Sequence, residues 1–205
     1  MNVVFDSMGT LFELTPLYER LGRPATEAWF ERILHSAATL TILGEFTPFD
    51  ELARSTLSTT VAKLGLAVDE DDVFEELKRL PPAPDAREAL ERAGRAFVLT
   101  NGGRKGGEQL LEQARLSRLV ERVYGVEEVN AFKPDPRPYR HVLDDLGEAT
   151  LIATHAWDCL GARRAGMDAI WVTREEHAWP FPNSVPAAKA ETLVDAVAKA
   201  RATRP

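Results

Sequence analysis

The sequence predicts an α/β protein: a parallel sheet with helices on both faces, interrupted near its start by a helical insertion. Three observations carry this reading. Five short apolar runs rich in β-branched and aromatic residues recur along the chain, and helical patterns separate the last four. Residues 15–80 show helical spacing only. The run Pro81-Pro82-Ala83-Pro84 then closes that stretch as a stiff linker.

The first strand, Asn2-Val3-Val4-Phe5, ends in Asp6, and Ser7-Met8-Gly9-Thr10 follows as a tight loop in which Gly9 permits an unusual backbone conformation. In the insertion, Trp29, Ile33, Leu34 and Ala37 fall at helical spacing. A second helix follows Pro48 and runs to Gly65, and a third covers 70–78. After the linker, Asp85 is the expected N-cap of a helix ending near Gly94. Residues 96–100 form the second strand, which Asn101-Gly102-Gly103 ends in a turn. A helix over 108–114 and a strand over 123–126 come next. Asp135 as N-cap, with Pro136 at the first helical position, starts another helix that Gly147 ends. The fourth strand covers 151–154, the following helix 157–165, and the fifth strand 169–173. Strands separated by helices in this way pair in parallel, with both sheet faces covered. Residues 177–182 read as an irregular segment that closes over the core or joins a dimer contact.

Composition narrows the function classes. The chain has 205 residues and a formal net charge of −7, which argues against a broad footprint for nucleic acid or an anionic membrane. A single cysteine, Cys159, excludes an internal disulfide framework and any multi-cysteine metal site. No apolar run approaches the roughly 18 residues of a bilayer span. The N-terminus lacks the pattern of a signal peptide, so the cytoplasm is the expected compartment.

In parallel sheets the ligand site lies at the carboxyl ends of the strands. That rule gathers Asp6, Thr100, Asn101, Lys133 and the 154–158 turn onto one rim. Asp6 is either a nucleophile kept ionised by nearby cations or a simple turn cap. Thr100 and Asn101 supply a hydroxyl and an amide that donate to an anion, or merely form an Asn-Gly turn. Lys133 faces a rim carboxylate or is a solvated surface lysine. Asp158 sits at a helix N-terminus, where the dipole favours negative charge. His155 is a base, a donor or an uninvolved loop residue. His35 and His141 lack metal-ligand spacing, Cys159 reads as a small helix residue, and Trp171 as core.

Taken together, Val4-Phe5-Asp6-Ser7-Met8-Gly9-Thr10-Leu11-Phe12, Leu99-Thr100-Asn101-Gly102, Lys133-Pro134-Asp135-Pro136 and Trp157-Asp158 resemble the haloacid dehalogenase-like hydrolase superfamily. The resemblance implies a Rossmann-like core of residues 1–14 and 81–205, with residues 15–80 as a helical cap. Within the superfamily the chain looks closer to the type II L-2-haloacid dehalogenases. Met8 stands where the phosphatases carry a proton-shuttling Asp, and Thr154 where they carry a magnesium-binding acidic residue. The run from Lys133 to Tyr139, Ala156-Trp157-Asp158 and Gly161-Ala162 also look dehalogenase-like.

That likeness implies a hydrolase needing no metal or other cofactor, acting on a small 2-haloalkanoic acid. Asp6 displaces halide to form an ester, and water activated near Asp158 and Lys133 hydrolyses it. Thr10, Thr100 and Asn101 orient the nucleophile and the substrate carboxylate, and Met8, Tyr139 and Phe30 help bind substrate. Two positions depart from the pattern. Phe30 stands where the dehalogenases have a halide-holding Arg, and Arg32 lies about 200° around the helix from it. His155 stands where they have Asn, and can bond a water or act as its base. The alternatives are a magnesium-dependent phosphatase of the same superfamily and a non-catalytic member that binds a small acid. The expected partners are a small-molecule acid and, as an option, a second copy of the chain, with no nucleic acid or membrane.

Overall fold

A computed structural model describes residues 1–174, 176–184 and 188–202. Strands β1 (Asn2–Phe5), β2 (Arg95–Thr100), β3 (Arg122–Gly125), β4 (Ala149–Ala153), β5 (Asp168–Val172) and β6 (Ala188–Ala190) form one sheet in the order β3-β2-β1-β4-β5-β6. Every pairing is parallel. The chain winds outward from β1 through β2 to β3, then returns to place β4 on the other side of β1. The strand order therefore reverses between β1 and β4, the place where such sheets open a crevice at their carboxyl ends.

The helices are α1 (Thr15–Leu21), α2 (Arg23–Leu43), α3 (Phe49–Leu64), α4 (Glu70–Leu77), α5 (Ala86–Ala93), α6 (Arg104–Gln113), α7 (Pro136–Leu146), α8 (Ala156–Arg164) and α9 (Leu193–Ala202). Alternation along the strands divides the core in two. Val3, Phe5, Val98, Ile152 and Ile170 face one side and pack with residues of α5, α6 and α9. Val4, Phe97, Leu99, Leu151 and Trp171 face the other and pack with residues of α7 and α8. No described helix is long and apolar enough to cross a membrane.

Helices α1 to α4 form the insertion. The stripe of Trp29, Ile33 and Ala37 is buried, as its spacing requires. It packs against other helices of the insertion: Trp29 Nε1 donates to Ala53 O on α3 at 3.0 Å, and the Trp29 and Phe74 rings lie 6.2 Å apart. The insertion is tied to the sheet side by Phe46 stacking on Phe132 at 5.1 Å and by the Phe132 N–H donating to Thr41 Oγ1 at 3.1 Å.

Several elements differ from expectation. Helix α1 was not expected, because seven residues give too few apolar repeats to register a period. Helix α6 starts at Arg104, four residues earlier than predicted, since Gly106 and Gly107 depress the local helix propensity. The three-residue β6 and the alanine-rich α9 are further elements beyond those the sequence predicts. Asp85 precedes α5 but does not cap it. Its carboxylate instead accepts from the Leu193 N–H at 2.7 Å and from Arg174 at 3.2 Å. The irregular segment closes over the core, with Trp179 set edge-on to Trp171 at 5.3 Å.

Candidate active site

The crevice between β1 and β4 is built by the two loops that follow those strands. The Asp6 N–H donates to Ile152 O at 3.0 Å, which extends the β1–β4 pairing and aims the next residues out of the sheet. The chain then turns sharply, with the Leu11 N–H donating to Ser7 O at 2.8 Å and Gly9 at φ +81°. Glycine is also required there by the neighbour: a Cβ on Gly9 would lie 2.8 Å from His155 Cε1. The His155 ring thus rests directly on the backbone of the first loop.

Asp6 is held at both oxygens. Lys133 Nζ donates to Oδ1 at 2.7 Å. Thr10 Oγ1 donates to Oδ2 at 2.8 Å, and His155 Nδ1 lies 3.3 Å from the same oxygen. Lys133 is buried and spends its other donors on Asp158 Oδ2 at 2.6 Å and Leu99 O at 3.1 Å. It is therefore not a solvated surface lysine. Tyr139 donates its hydroxyl to Asp158 Oδ1 at 2.5 Å.

Local sequence explains these placements. Asp135 caps α7 by accepting the Arg137 N–H at 2.9 Å, and Asn101 Oδ1 accepts the Lys133 N–H at 3.0 Å. The Lys133 backbone is thereby anchored between the turn after β2 and the start of α7. Helix α8 begins at Ala156, whose N–H donates to Glu176 Oε2 at 2.8 Å. Asp158 lies in its first turn, where the helix dipole favours a carboxylate. Gly161, one turn on, lets α7 approach, since a Cβ there would lie 2.7 Å from Pro134 Cβ and 2.8 Å from the Tyr139 hydroxyl.

The electrostatics follow. Burial pushes the Asp6 carboxyl upward, but the Lys133 ammonium and His155 outweigh it and hold Asp6 below the ordinary carboxylate range. Burial also works against the Lys133 charge, yet Asp158 and Asp6 together raise its pKa. Asp158 is pushed up, by burial first and by Asp6, against the pull of Lys133. For His155, burial favours the neutral ring, while its bond to Asp6 and the charges of Asp6, Asp158 and Glu176 win and raise its pKa.

A cleft of about 650 Å³ opens in front of Asp6, between the core loops and the insertion. Met8, Phe30, Thr100 and Asn101, expected to bind or orient substrate, line it, and so does His155, expected as a catalytic residue. Thr100 Oγ1 accepts the Gly102 N–H at 2.9 Å and Asn101 uses its carbonyl on Lys133, so the donor ends of both are left for a ligand. Tyr139, expected to bind substrate, is fully buried behind Asp158 and is not among the lining residues. Asp158 and Lys133 are likewise absent from the lining. Arg32 points away, with Nε donating to Thr60 on α3.

Other lining residues were not anticipated: Arg23, Phe49, Trp157, Arg174 and Glu176. Trp157 stacks on His155 with centroids 5.4 Å apart. Arg23 lies seven positions before Phe30, hence on the same face of α2, a signal readable in the sequence. Arg174 and Glu176 follow β5 in a stretch without periodicity, which offers no such signal.

The donor set does not fit a divalent cation. The Lys133 ammonium bridges Asp6 and Asp158, both Asp158 oxygens are engaged, and the described residues contain no group of three or more acidic, His or Cys ligands.

Residues 1–166 match the family model described as "haloacid dehalogenase-like hydrolase". The chain is 26% identical over 197 residues to (S)-2-haloacid dehalogenase H-109 of Pseudomonas putida, covering 85% of this chain and 86% of that one. A crystal structure of an L-2-haloacid dehalogenase superposes with a TM-score of 0.92 at 22% identity, over 98% of both chains. The L-2-haloacid dehalogenase of Xanthobacter autotrophicus, with chloropropionic acid covalently bound, superposes with a TM-score of 0.87 at 24% identity, again over 98% of both. The structural likenesses show a shared fold, and the family match runs from β1 past Asp158 to the end of α8. With Asp6, Thr10, Lys133 and Asp158 joined by hydrogen bonds at the carboxyl ends of that sheet, the chain belongs to the haloacid dehalogenase-like hydrolase family.

Proposed function

We propose that this hydrolase removes halide from a small 2-haloalkanoic acid through an ester on Asp6, with residues 15–80 acting as a cap over a core of residues 1–14 and 81–205. The observation that carries the reading is the state of Asp6. It faces the cleft, is kept ionised by a buried lysine, and has Met8 two residues on, where no proton can be exchanged.

An Asp6 carboxylate oxygen attacks the carbon bearing the halogen from the side opposite the leaving group. The carbon–halogen bond breaks, halide departs with the electron pair, and no proton is needed. Thr100 and Asn101 offer donors for the substrate carboxylate, and Thr10 and Lys133 hold Asp6 in line. Ester formation abolishes the Asp6 charge. The Asp6 bond and charge, the first of the interactions that raised the His155 pKa, are then lost, which leaves Asp158 and Glu176 against burial and shifts His155 towards the neutral imidazole. A neutral His155 takes a proton from the water that attacks the Asp6 carbonyl carbon. The intermediate collapses, the hydroxy-acid oxygen leaves and recovers that proton, and Asp6 returns as a carboxyl carrying the water oxygen. Held below the ordinary range, it releases its proton to solvent.

A halide-release screen over chloroacetate and 2-chloropropionate, with and without chelator, tests the reading. Chelator-insensitive halide release is expected. Magnesium-dependent release of phosphate from an aryl phosphate, with no halide from either acid, would overturn it.

A further inference from the structure

We infer that the substrate carries an unbranched apolar substituent on C2, longer than the methyl group of a propionic acid; this rests on the proposed dehalogenase reading and specifies its substrate class. The cleft of about 650 Å³ is the first observation. Pockets of about 300–1,000 Å³ suit drug-sized ligands, whereas a haloacetate is a handful of atoms.

The lining is the second. The cleft lining includes the apolar side chains Leu14, Phe30, Ile33, Leu34, Phe49 and Trp157. Phe30 and Leu34 lie one turn apart on α2, and Ile33 stands beside them, so this helix contributes an apolar strip to the cleft, with Glu27 and Glu31 of the same helix flanking it. Trp29 backs that strip by meeting Phe30 edge-on at 5.4 Å.

Charge is the third. Four glutamates line the cleft: Glu13, Glu27, Glu31 and Glu176. The two lining arginines are engaged. Arg174 donates to Asp85 and to Thr10 O, and Arg23 pairs with Glu27 at 3.5 Å while lying over the Tyr18 ring at 4.1 Å. A second anionic group on the substrate would meet more negative than positive charge, so the spare volume suits an uncharged chain. Backside displacement restricts that chain to one unbranched at C3, because branching there blocks the approach of the carboxylate.

The test is halide release from 2-bromoalkanoates of increasing chain length, propanoate to octanoate. The expected result is a kcat/KM that rises about fourfold per methylene over the first additions, equivalent to ~0.8 kcal/mol for each buried CH₂. A flat or falling series, with 2-bromopropanoate still turned over, overturns the inference and leaves the dehalogenase reading standing. No halide from any member overturns both. Leu34→Trp narrows the cleft. It should lower the ratio of kcat/KM for 2-bromohexanoate over 2-bromopropanoate at least tenfold. The ratio is internal, so loss of folded protein cancels, and an unchanged ratio contradicts the placement of the chain along α2.

Discussion

Lys133 Nζ lies 2.7 Å from Asp6 Oδ1, with the two side chains only 1% and 8% exposed. The ammonium is the sole cation bonded to Asp158 as well, at 2.6 Å, among the described residues. Removing one partner of a buried ion set leaves uncompensated charge, at about 3–5 kcal/mol. Lys133→Met is therefore expected to lower unfolding free energy by that amount in denaturant titration and to abolish halide release. Because the Lys133 pKa is raised in the fold, its stabilisation holds below the ordinary value of 10.5 and is lost as pH climbs through the folded value. A loss under about 1 kcal/mol, as for exposed pairs, would show that the charges are not tightly coupled.

Tyr139→Phe separates support from binding. The hydroxyl bonds the buried Asp158 carboxylate, and a hydrogen bond to a charged group is worth about 1.5–3 kcal/mol. Stability should fall by that much and kcat with it, while KM holds. A raised KM at full stability would return Tyr139 to the substrate.

His155 sets two pH dependences. Its raised pKa means that the imidazolium–Asp6 pair stabilises the fold fully below 6.5 and loses that stabilisation as pH rises through the folded value. The difference in unfolding free energy between wild type and His155→Asn should shrink accordingly. Ester hydrolysis, followed in single turnovers, should depend on neutral His155 and slow in acid. His155→Asn with an undiminished hydrolysis step would remove the base from the mechanism.

Gly9→Ala tests the contact between the two loops. The added Cβ meets His155 Cε1 at 2.8 Å and sits at φ +81°. The backbone alone costs roughly 1–2 kcal/mol. Ester hydrolysis should slow, and the acid limb set by His155 should be lost, as it is in His155→Asn. A wild-type pH profile would mean that the ring accommodates the methyl group.

Much of this arrangement was legible in the sequence. Asp6, Thr100 and the 154–158 turn each follow an apolar strand, and the parallel-sheet rule alone brings them to one rim. Helix α7 could be bounded at both ends because Asp135, Pro136 and Gly147 act locally. The depth of a residue behind the rim was not legible. Asp158 and Tyr139 look like site residues by position, yet Lys133 and the close approach at Gly161 put them behind Asp6. Asp85 misled for a similar reason: its local context suits a cap, but a partner more than a hundred residues away claims it. The cleft wall was readable only in part, since α2 has a helical face whereas Arg174 and Glu176 depend on a path without period.

The ester on Asp6 is the centre of the account, and one measurement addresses it directly. A single turnover of 2-chloropropionate, with enzyme in excess, is run in water enriched in heavy oxygen, and the peptides are weighed. The label should appear in the peptide that contains Asp6, while the product carries an unlabelled hydroxyl oxygen drawn from the carboxylate. Label found in the product hydroxyl alone, with an unlabelled Asp6 peptide, would mean that water attacks the substrate carbon and that no ester forms.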